Sequence, residues 1–246
     1  MFEVVLVETQ NTCNRSCWFC KFGNSKQQAV VQLDDNLIDK IATELREINF
    51  NGRISPFGIN EPLLDRRIVE IVKKFRGACP QAYISIVSNG DFLFQKLFQE
   101  LVENGLDGLA ISIYETSAIA RLEQKIDSKS MQSLNLIDMR LPIYLENRGG
   151  EIKLAAKPTK GKCLRPSNML VIKANGDVCL CCADMEGKIV FGNIKNSSLQ
   201  EIWHSLEFRN VRNKLQRSRE GLQLCKGCSH DGSTSSIYYP PRFIWS

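Results

Sequence analysis

The stretch Glu3-Val4-Val5-Leu6-Val7, followed a few residues later by Cys13-Asn14-Arg15-Ser16-Cys17-Trp18-Phe19-Cys20, decides how the rest of this chain is read. A short apolar strand leads into a loop with three cysteines spaced C-x3-C-x2-C. Loops at the C-terminal ends of parallel strands are where such folds place their active sites. Iron–sulfur clusters normally take four thiolates. Three thiolates on one tight loop would hold three irons of a 4Fe–4S cube and leave the fourth open to a substrate or cofactor. The plainer alternatives are a zinc knuckle short of one ligand, or buried free thiols. Three cysteines so close together at a strand end are poor zinc-finger spacing.

Beyond this loop, strand and helix patterns alternate. Leu37, Ile38, Ile41, Leu45 and Ile48 form a helical stripe over 34–48, and Arg53-Ile54-Ser55 is a brief strand. Ile68, Ile71, Val72 and Phe75 recur at helical spacing. Residues 83–87 are β-branched and end at the turn Ser88-Asn89-Gly90. Residues 92–104 are amphipathic and stop at Gly105, and 109–113 read as another buried strand. A helix is expected over 116–125 and a strand over 141–145. Strands separated by helices imply right-handed crossovers and a parallel sheet. About five or six such units fit before residue 150, too few for a closed barrel of eight. The expected fold is therefore α/β, an incomplete parallel (β/α) barrel over 1–150, followed by a small module over 151–246.

In that module, Asn175-Gly176 is a hairpin signal between extended segments at 168–173 and 177–181. Ser198-Leu199-Gln200-Glu201 is a capping box opening a helix, with Ile202, Trp203, Leu206 and Leu215 on or near its apolar face. The tail after Cys228 is polar and then aromatic.

The chain has 246 residues, 43% hydrophobic and 24% charged, which reads as an ordinary globular protein. Its 32 Lys+Arg against 27 Asp+Glu leave a dispersed net charge of +5, which gives no call for a nucleic-acid partner. No apolar run approaches the roughly 20 residues of a membrane span. The N-terminus lacks a basic region and a cleavage site, so a cytoplasmic location is expected. There thiols stay reduced, and 10 Cys beside only 2 His point to metal or cluster binding rather than disulfides.

The Cys13–Cys20 loop, with Phe19 just before its third cysteine, resembles the signature of the radical S-adenosylmethionine (radical SAM) superfamily. The resemblance implies that Cys13, Cys17 and Cys20 bind a 4Fe–4S cluster whose open iron chelates SAM. It also implies reductive cleavage of SAM to a 5′-deoxyadenosyl radical that abstracts hydrogen. An external one-electron donor such as flavodoxin or ferredoxin is expected with it. Asn60-Glu61-Pro62 stands where the family commonly has Gly-Gly-Glu-Pro, and Glu61 would accept hydrogen bonds from the SAM ammonium. Ser88 and Asn89 would contact the SAM carboxylate and ribose, and Ser112 is a further ribose candidate. Taken alone, Ser88-Asn89-Gly90 reads equally as a plain turn, and a surface carboxylate before a helix-starting proline is the lesser reading of Glu61.

Cys163, Gly176-x4-Cys181 and Cys225-Lys226-Gly227-Cys228 resemble the twitch module, the short form of the SPASM domain that carries auxiliary clusters. The resemblance implies a second 4Fe–4S cluster on Cys163, Cys181, Cys225 and Cys228, with Cys179 or Cys182 as alternatives to Cys181. A structural zinc on the same four thiolates is the plain alternative. Cys182 follows a ligand and faces away from it by strand alternation, so it is either a packed thiol or a group aimed at substrate. Cys79 reads as an ordinary half-buried cysteine, and His204 as helix surface or a packing residue.

Within the superfamily, the chain resembles dehydrogenases that oxidise an aminocyclitol, through most of its length. That resemblance makes Arg148 a substrate-contacting arginine. At two substrate-contacting positions, Ile59 stands for a phenol and Ala183 for a carboxylate. The function implied is dehydrogenation of a secondary alcohol on a carbohydrate or cyclitol-like small molecule, the second cluster taking an electron. An epimerase, with Cys182 or Cys179 returning a hydrogen atom, and a peptide-modifying enzyme are the alternatives. No peptide-binding extra domain is recognisable.

Overall fold

The computed structural model describes residues 1–20, 29–141, 145–154 and 156–233. Eight strands form one sheet in the order β5-β4-β3-β2-β1-β6-β7-β8. β1 (Val4–Val7), β2 (Arg53–Ser55), β3 (Tyr83–Ser88), β4 (Gly108–Ile113), β5 (Asn135–Asp138) and β6 (Met169–Ile172) pair in parallel. β7 (Asp177–Cys179) and β8 (Val190–Asn193) continue from β6 as an antiparallel edge. The ends, β5 and β8, do not pair, so the sheet is an open partial barrel.

β1 is the central strand. It pairs with β2 on one side and β6 on the other. Its side chains alternate, as any strand requires. Val5 and Val7 join the main core under the helices, whereas Val4 and Leu6 join Val171 in a small cluster on the inner face. α1 (Asp35–Glu47) begins where Asp34 accepts a bond from the Asn36 N–H at 2.8 Å, and it buries Ile38, Ile41 and Leu45. α2 (Ile68–Ala78) buries Ile68, Ile71, Val72 and Phe75, and α3 (Gln95–Glu103) buries Phe98 and Leu101. α4 (Ser117–Glu123) and α5 (Ser128–Ser133) complete the crossover to β5.

Several expectations are revised. The strand before residue 150 that follows α5 is Asn135–Asp138, whereas the strand expected at 141–145 falls largely on residues 142–144, outside the described set. The short run Asn-Leu-Ile-Asp has polar ends and offers little periodicity. The sixth parallel strand, β6, lies past residue 150, so the sheet crosses that position without a break. After α6 (Arg165–Asn168), the late helix is two helices, α7 (Leu199–His204) and α8 (Leu206–Leu215). Ser205 caps the second by accepting from the Phe208 N–H. That break turns Leu206 outward at 67% exposure, against its expected place on the apolar face. α9 (Gln223–Lys226) ends the described helices, and the aromatic tail lies outside the described residues. Among the described residues no helix is long and apolar enough to cross a membrane.

These burials set a contrast. Phe75→Ala empties a fully buried site and is expected to cost about 3–5 kcal/mol. Leu206→Ala is expected to stay within about 0.5 kcal/mol. Urea denaturation of the apoprotein checks both, with a lowered midpoint for the first variant alone.

Candidate active site and second cysteine cavity

A cavity of about 250 Å³ lies at the inner face of the sheet. Cys13, Cys17, Phe19 and Cys20 border it at the C-terminal end of β1, and Asn60, Glu61, Ser88, Asn89 and Ser112 border it from the ends of β2, β3 and β4. Arg148 and Cys182 border the same cavity from the second half of the chain. The structure thus brings all the non-cluster candidates to one place.

The cysteine loop is fastened to the turn after β3. The Arg15 guanidinium donates to both Asp91 oxygens, at 2.6 and 2.5 Å, and lies 5.2 Å over the Tyr114 ring. Asn14 donates to Asp91 at 2.7 Å and accepts from the Asn89 side chain at 2.8 Å. Burial raises the Asp91 carboxyl, but the Arg15 bond overrides it and holds the group below its ordinary value. Gly90 sits at φ +75°, and a Cβ there would stand 2.9 Å from Ile111 Cγ2, so the turn needs glycine. Phe19 stacks on Tyr114 with centroids 5.6 Å apart, and the buried Tyr114 hydroxyl is bonded by Ser112. Ser112 thus sits both on the cavity and beside Tyr114.

Glu61 is 2% exposed. Its Oε1 accepts from Ser88 Oγ at 2.7 Å and from the Leu63 N–H at 3.0 Å, and its Oε2 accepts from the Asn89 N–H at 2.8 Å. Desolvation nevertheless dominates and pushes its pKa up, with these three donors opposing. A carboxylate offers about four acceptor sites, so one remains on Oε2. Ser88 also accepts from the Gly90 N–H at 2.9 Å, so its hydroxyl buttresses Glu61. Asn60 accepts from the Gly58 N–H through Oδ1, while its buried Nδ2 has no partner among the described residues. An orphaned donor beside a buried carboxylate, at the mouth of a three-thiol loop, fits a zwitterionic ligand such as the methionine end of SAM. Burial, and then Cys20 and Cys13, push the Cys17 thiol up to about 11. Ligation of iron as thiolates relieves that crowding.

Cys163, Cys181, Cys225 and Cys228 line a second, smaller cavity together with Arg165 and Arg219. Burial, and then Cys163 and Cys228, push the Cys225 thiol up to about 12. No three His, Cys, Asp or Glu side chains among the described residues converge on a single-ion site. Four thiols around a shared cavity, with two buried guanidinium groups, fit a cluster better than one zinc. Cys182 lies on the first cavity and Cys179 on neither. β7 already ends at Cys179, so a turn, and not continued strand alternation, separates Cys181 from Cys182. Ile59 borders the first cavity, and Ala183 the second. Cys79 is buried in the core and His204 is exposed.

Arg148 sits at φ +47°, a conformation uncommon for a residue with a Cβ, and donates to the Cys182 carbonyl at 3.2 Å. Its loop is docked on the loop of Cys228. Asn147 donates through Nδ2 to the Gly227 carbonyl at 2.7 Å, and its backbone N–H donates to Ser229 Oγ at 2.9 Å. The Ser229 N–H returns a bond to Asn147 Oδ1 at 2.8 Å.

Sequence reading missed Arg15 on the first loop with its partners Asp91 and Tyr114 after β3 and β4, Glu8 and Lys173 on the cavity wall, and Arg165 between the cavities. Glu8 and Lys173 follow β1 and β6 in register and pair at 2.7 Å. Arg15 stands inside the cysteine motif, Asp91 directly follows the Ser88-Asn89-Gly90 turn, and Arg165 stands two residues after Cys163. Their position was visible, but their pairing needed the fold.

The radical SAM superfamily model matches residues 7–129, half of the chain, and an iron-sulfur cluster-binding domain (SPASM) model matches residues 163–229. The S-adenosyl-L-methionine-dependent 2-deoxy-scyllo-inosamine dehydrogenase of Niallia circulans is 29% identical over 235 residues, 94% of each chain. The crystal structure of BtrN in complex with AdoMet and 2-DOIA is 28% identical, covers 99% of each chain and gives a TM-score of 0.87. Native anSMEcpe with bound AdoMet is 12% identical, with a TM-score of 0.62 over 99% of this chain and 93% of that one, a likeness of fold alone. This chain belongs to the radical SAM superfamily, an enzyme whose cofactors are 4Fe–4S clusters and S-adenosylmethionine.

Proposed function

We propose that this enzyme dehydrogenates a secondary alcohol of a cyclitol- or carbohydrate-like small molecule to a ketone. The observation that carries the reading is the adjacency of the two cavities. The first joins the Cys13–Cys20 loop to a polar wall, and the second, lined by four cysteines, lies one residue away across Cys181 and Cys182. The likeness to a 2-deoxy-scyllo-inosamine dehydrogenase over nearly the whole chain supports it. In this reading residues 1–150 bind SAM through Cys13, Cys17, Cys20, Phe19, Asn60, Glu61, Ser88, Asn89 and Ser112. Residues 151–246 hold the second cluster on Cys163, Cys181, Cys225 and Cys228. A cytoplasmic setting and a flavodoxin- or ferredoxin-like donor to the first cluster belong to the same proposal.

When bound, SAM with its cluster supplies the radical that takes hydrogen from the carbinol carbon, and the second cluster takes the remaining electron. What is left for the protein is a proton and an oxygen gaining negative charge. Arg148 faces the cavity with a guanidinium that stays charged, so it binds that oxygen and does not accept the proton. Glu8 lines the cavity, 4% exposed, and its Oε2 accepts from Lys173 and from the Ile59 N–H. A buried carboxylate on this wall makes Glu8 our candidate for the proton acceptor. Ile59 lines the same wall as an apolar contact, so the substrate here differs from one held by a phenol at this point.

The epimerase reading rests on Cys182, because its thiol lines the substrate cavity. The discriminating experiment is anaerobic turnover with a panel of cyclitols and sugars, following 5′-deoxyadenosine and product mass together. Loss of two hydrogens supports dehydrogenation. Unchanged mass with deuterium taken up from solvent, or a modified peptide, would sink it. Cys182→Ser is expected to keep most turnover, and Cys181→Ala to lose the second cluster and product. Abolished turnover in Cys182→Ser with both clusters intact would favour the epimerase.

The metal assignment predicts about eight irons per reconstituted chain. Replacing Cys13, Cys17 and Cys20 together by Ala should remove half of them and all SAM cleavage. Glu61→Gln should weaken SAM binding by roughly 1.5–3 kcal/mol with both clusters intact, read by calorimetry. The charged carboxylate is the form that binds the ammonium, so affinity holds at high pH and falls as pH drops through the Glu61 pKa. Burial raises that pKa, so the fall begins above the ~4.3 of a free glutamate. A flat affinity across this range would return Glu61 to the role of a loop carboxylate.

A further inference from the structure

Among the described residues, Arg165 is the one that lines both cavities. It is 8% exposed, and its guanidinium meets the side chains of Cys182, His230 and Glu146. Nη1 donates to Cys182 Sγ at 3.1 Å, Nη2 meets His230 Nε2, and Glu146 Oε2 lies 3.6 Å away on the side of the first cavity. The second guanidinium of the smaller cavity, Arg219, is used differently. It donates to the His230 carbonyl at 2.6 Å and to the Lys162 carbonyl at 3.0 and 3.3 Å. Those carbonyls belong to the segments that carry Cys228 and Cys163, so Arg219 braces the ligand loops. Arg165 meets side chains instead, and the mechanism leaves its charge unused.

A buried cation needs a reason, because its desolvation is unfavourable unless negative charge compensates it. Glu146 compensates part, but it is also within 3.2 Å of His230. The larger negative charge is that of four thiolates around the cavity. A cluster there carries net negative charge before reduction and gains one more when it takes an electron. A fixed positive charge in a water-poor site favours the more negative state, and net charge and hydrogen bonding are what set cluster potentials.

We propose that Arg165 is the counter-charge of the second cluster, placed on the substrate side to stabilise its reduced form and so make it an electron acceptor. This rests on the reading that Cys163, Cys181, Cys225 and Cys228 hold a 4Fe–4S cluster. The test uses reconstituted protein in which Cys13, Cys17 and Cys20 are replaced by Ala, so that only the second cluster contributes. Its midpoint potential is measured by redox titration with EPR detection for Arg165, Arg165→Gln and Arg165→Lys, with iron and sulfide determined for each. The expected result is at least a tenfold shift of the reduction equilibrium toward the oxidised form in Arg165→Gln, about 59 mV for one electron. Arg165→Lys, which keeps the charge, should stay close to the parent. An unchanged potential in Arg165→Gln at full iron content would overturn the proposal. So would loss of iron in Arg165→Gln, which would make the residue a scaffold for its cysteines. A parent protein with no iron and sulfide left would overturn the assignment of the four cysteines, and this inference with it.

Discussion

The register of β1 is the constraint on which the rest depends. Held between β2 and β6, it sends Val5 and Val7 to the helices and Val4 and Leu6 to the inner face. A slip of one residue would exchange the two sets and turn Glu8 away from the cavity. Because Val7 pairs with Ile172, Glu8 and Lys173 follow at the same height and meet as an ion pair. The same register places the Cys13–Cys20 loop over the ends of β2, β3 and β4. Pairing with β6 also draws residues beyond 150 into the sheet, so both halves of the chain contribute to one cavity.

The site is a contest between desolvation and polar contacts. Glu61 has three donors aimed at it, and burial still raises its pKa. A carboxylate in that balance is best stabilised by a further cationic partner. Asp91, beside Arg15, shows the opposite outcome, since a bidentate guanidinium overcomes its burial. One carboxylate is left wanting a ligand, and the other is saturated and serves as an anchor for the cysteine loop.

The parts that the sequence made legible are those governed by local periodicity and spacing. The stripe of Ile38, Ile41 and Leu45, the Asn175-Gly176 hairpin and the Ser198–Glu201 capping box all form as read. The cysteine spacing was legible because one loop must supply several ligands. Contacts between distant residues were not. Arg165 gives no signal of its own beside Cys182, and β5 is too short and polar-ended to declare itself. Leu206 misled because periodicity carries no warning of a helix that stops at Ser205 and restarts. Ser88 shows the same limit, because a hydroxyl at a strand end gives no sign that it will bond Glu61.

Asn147 gives the two sites a common joint. Its three bonds to the 227–229 loop fix the backbone one residue before Arg148, and the positive φ of Arg148 leaves that joint little play. The Arg148 wall of the first cavity therefore takes its shape from the loop that carries Cys228, which lines the other cavity. A displacement of the Cys228 loop would reach the first cavity through these three hydrogen bonds.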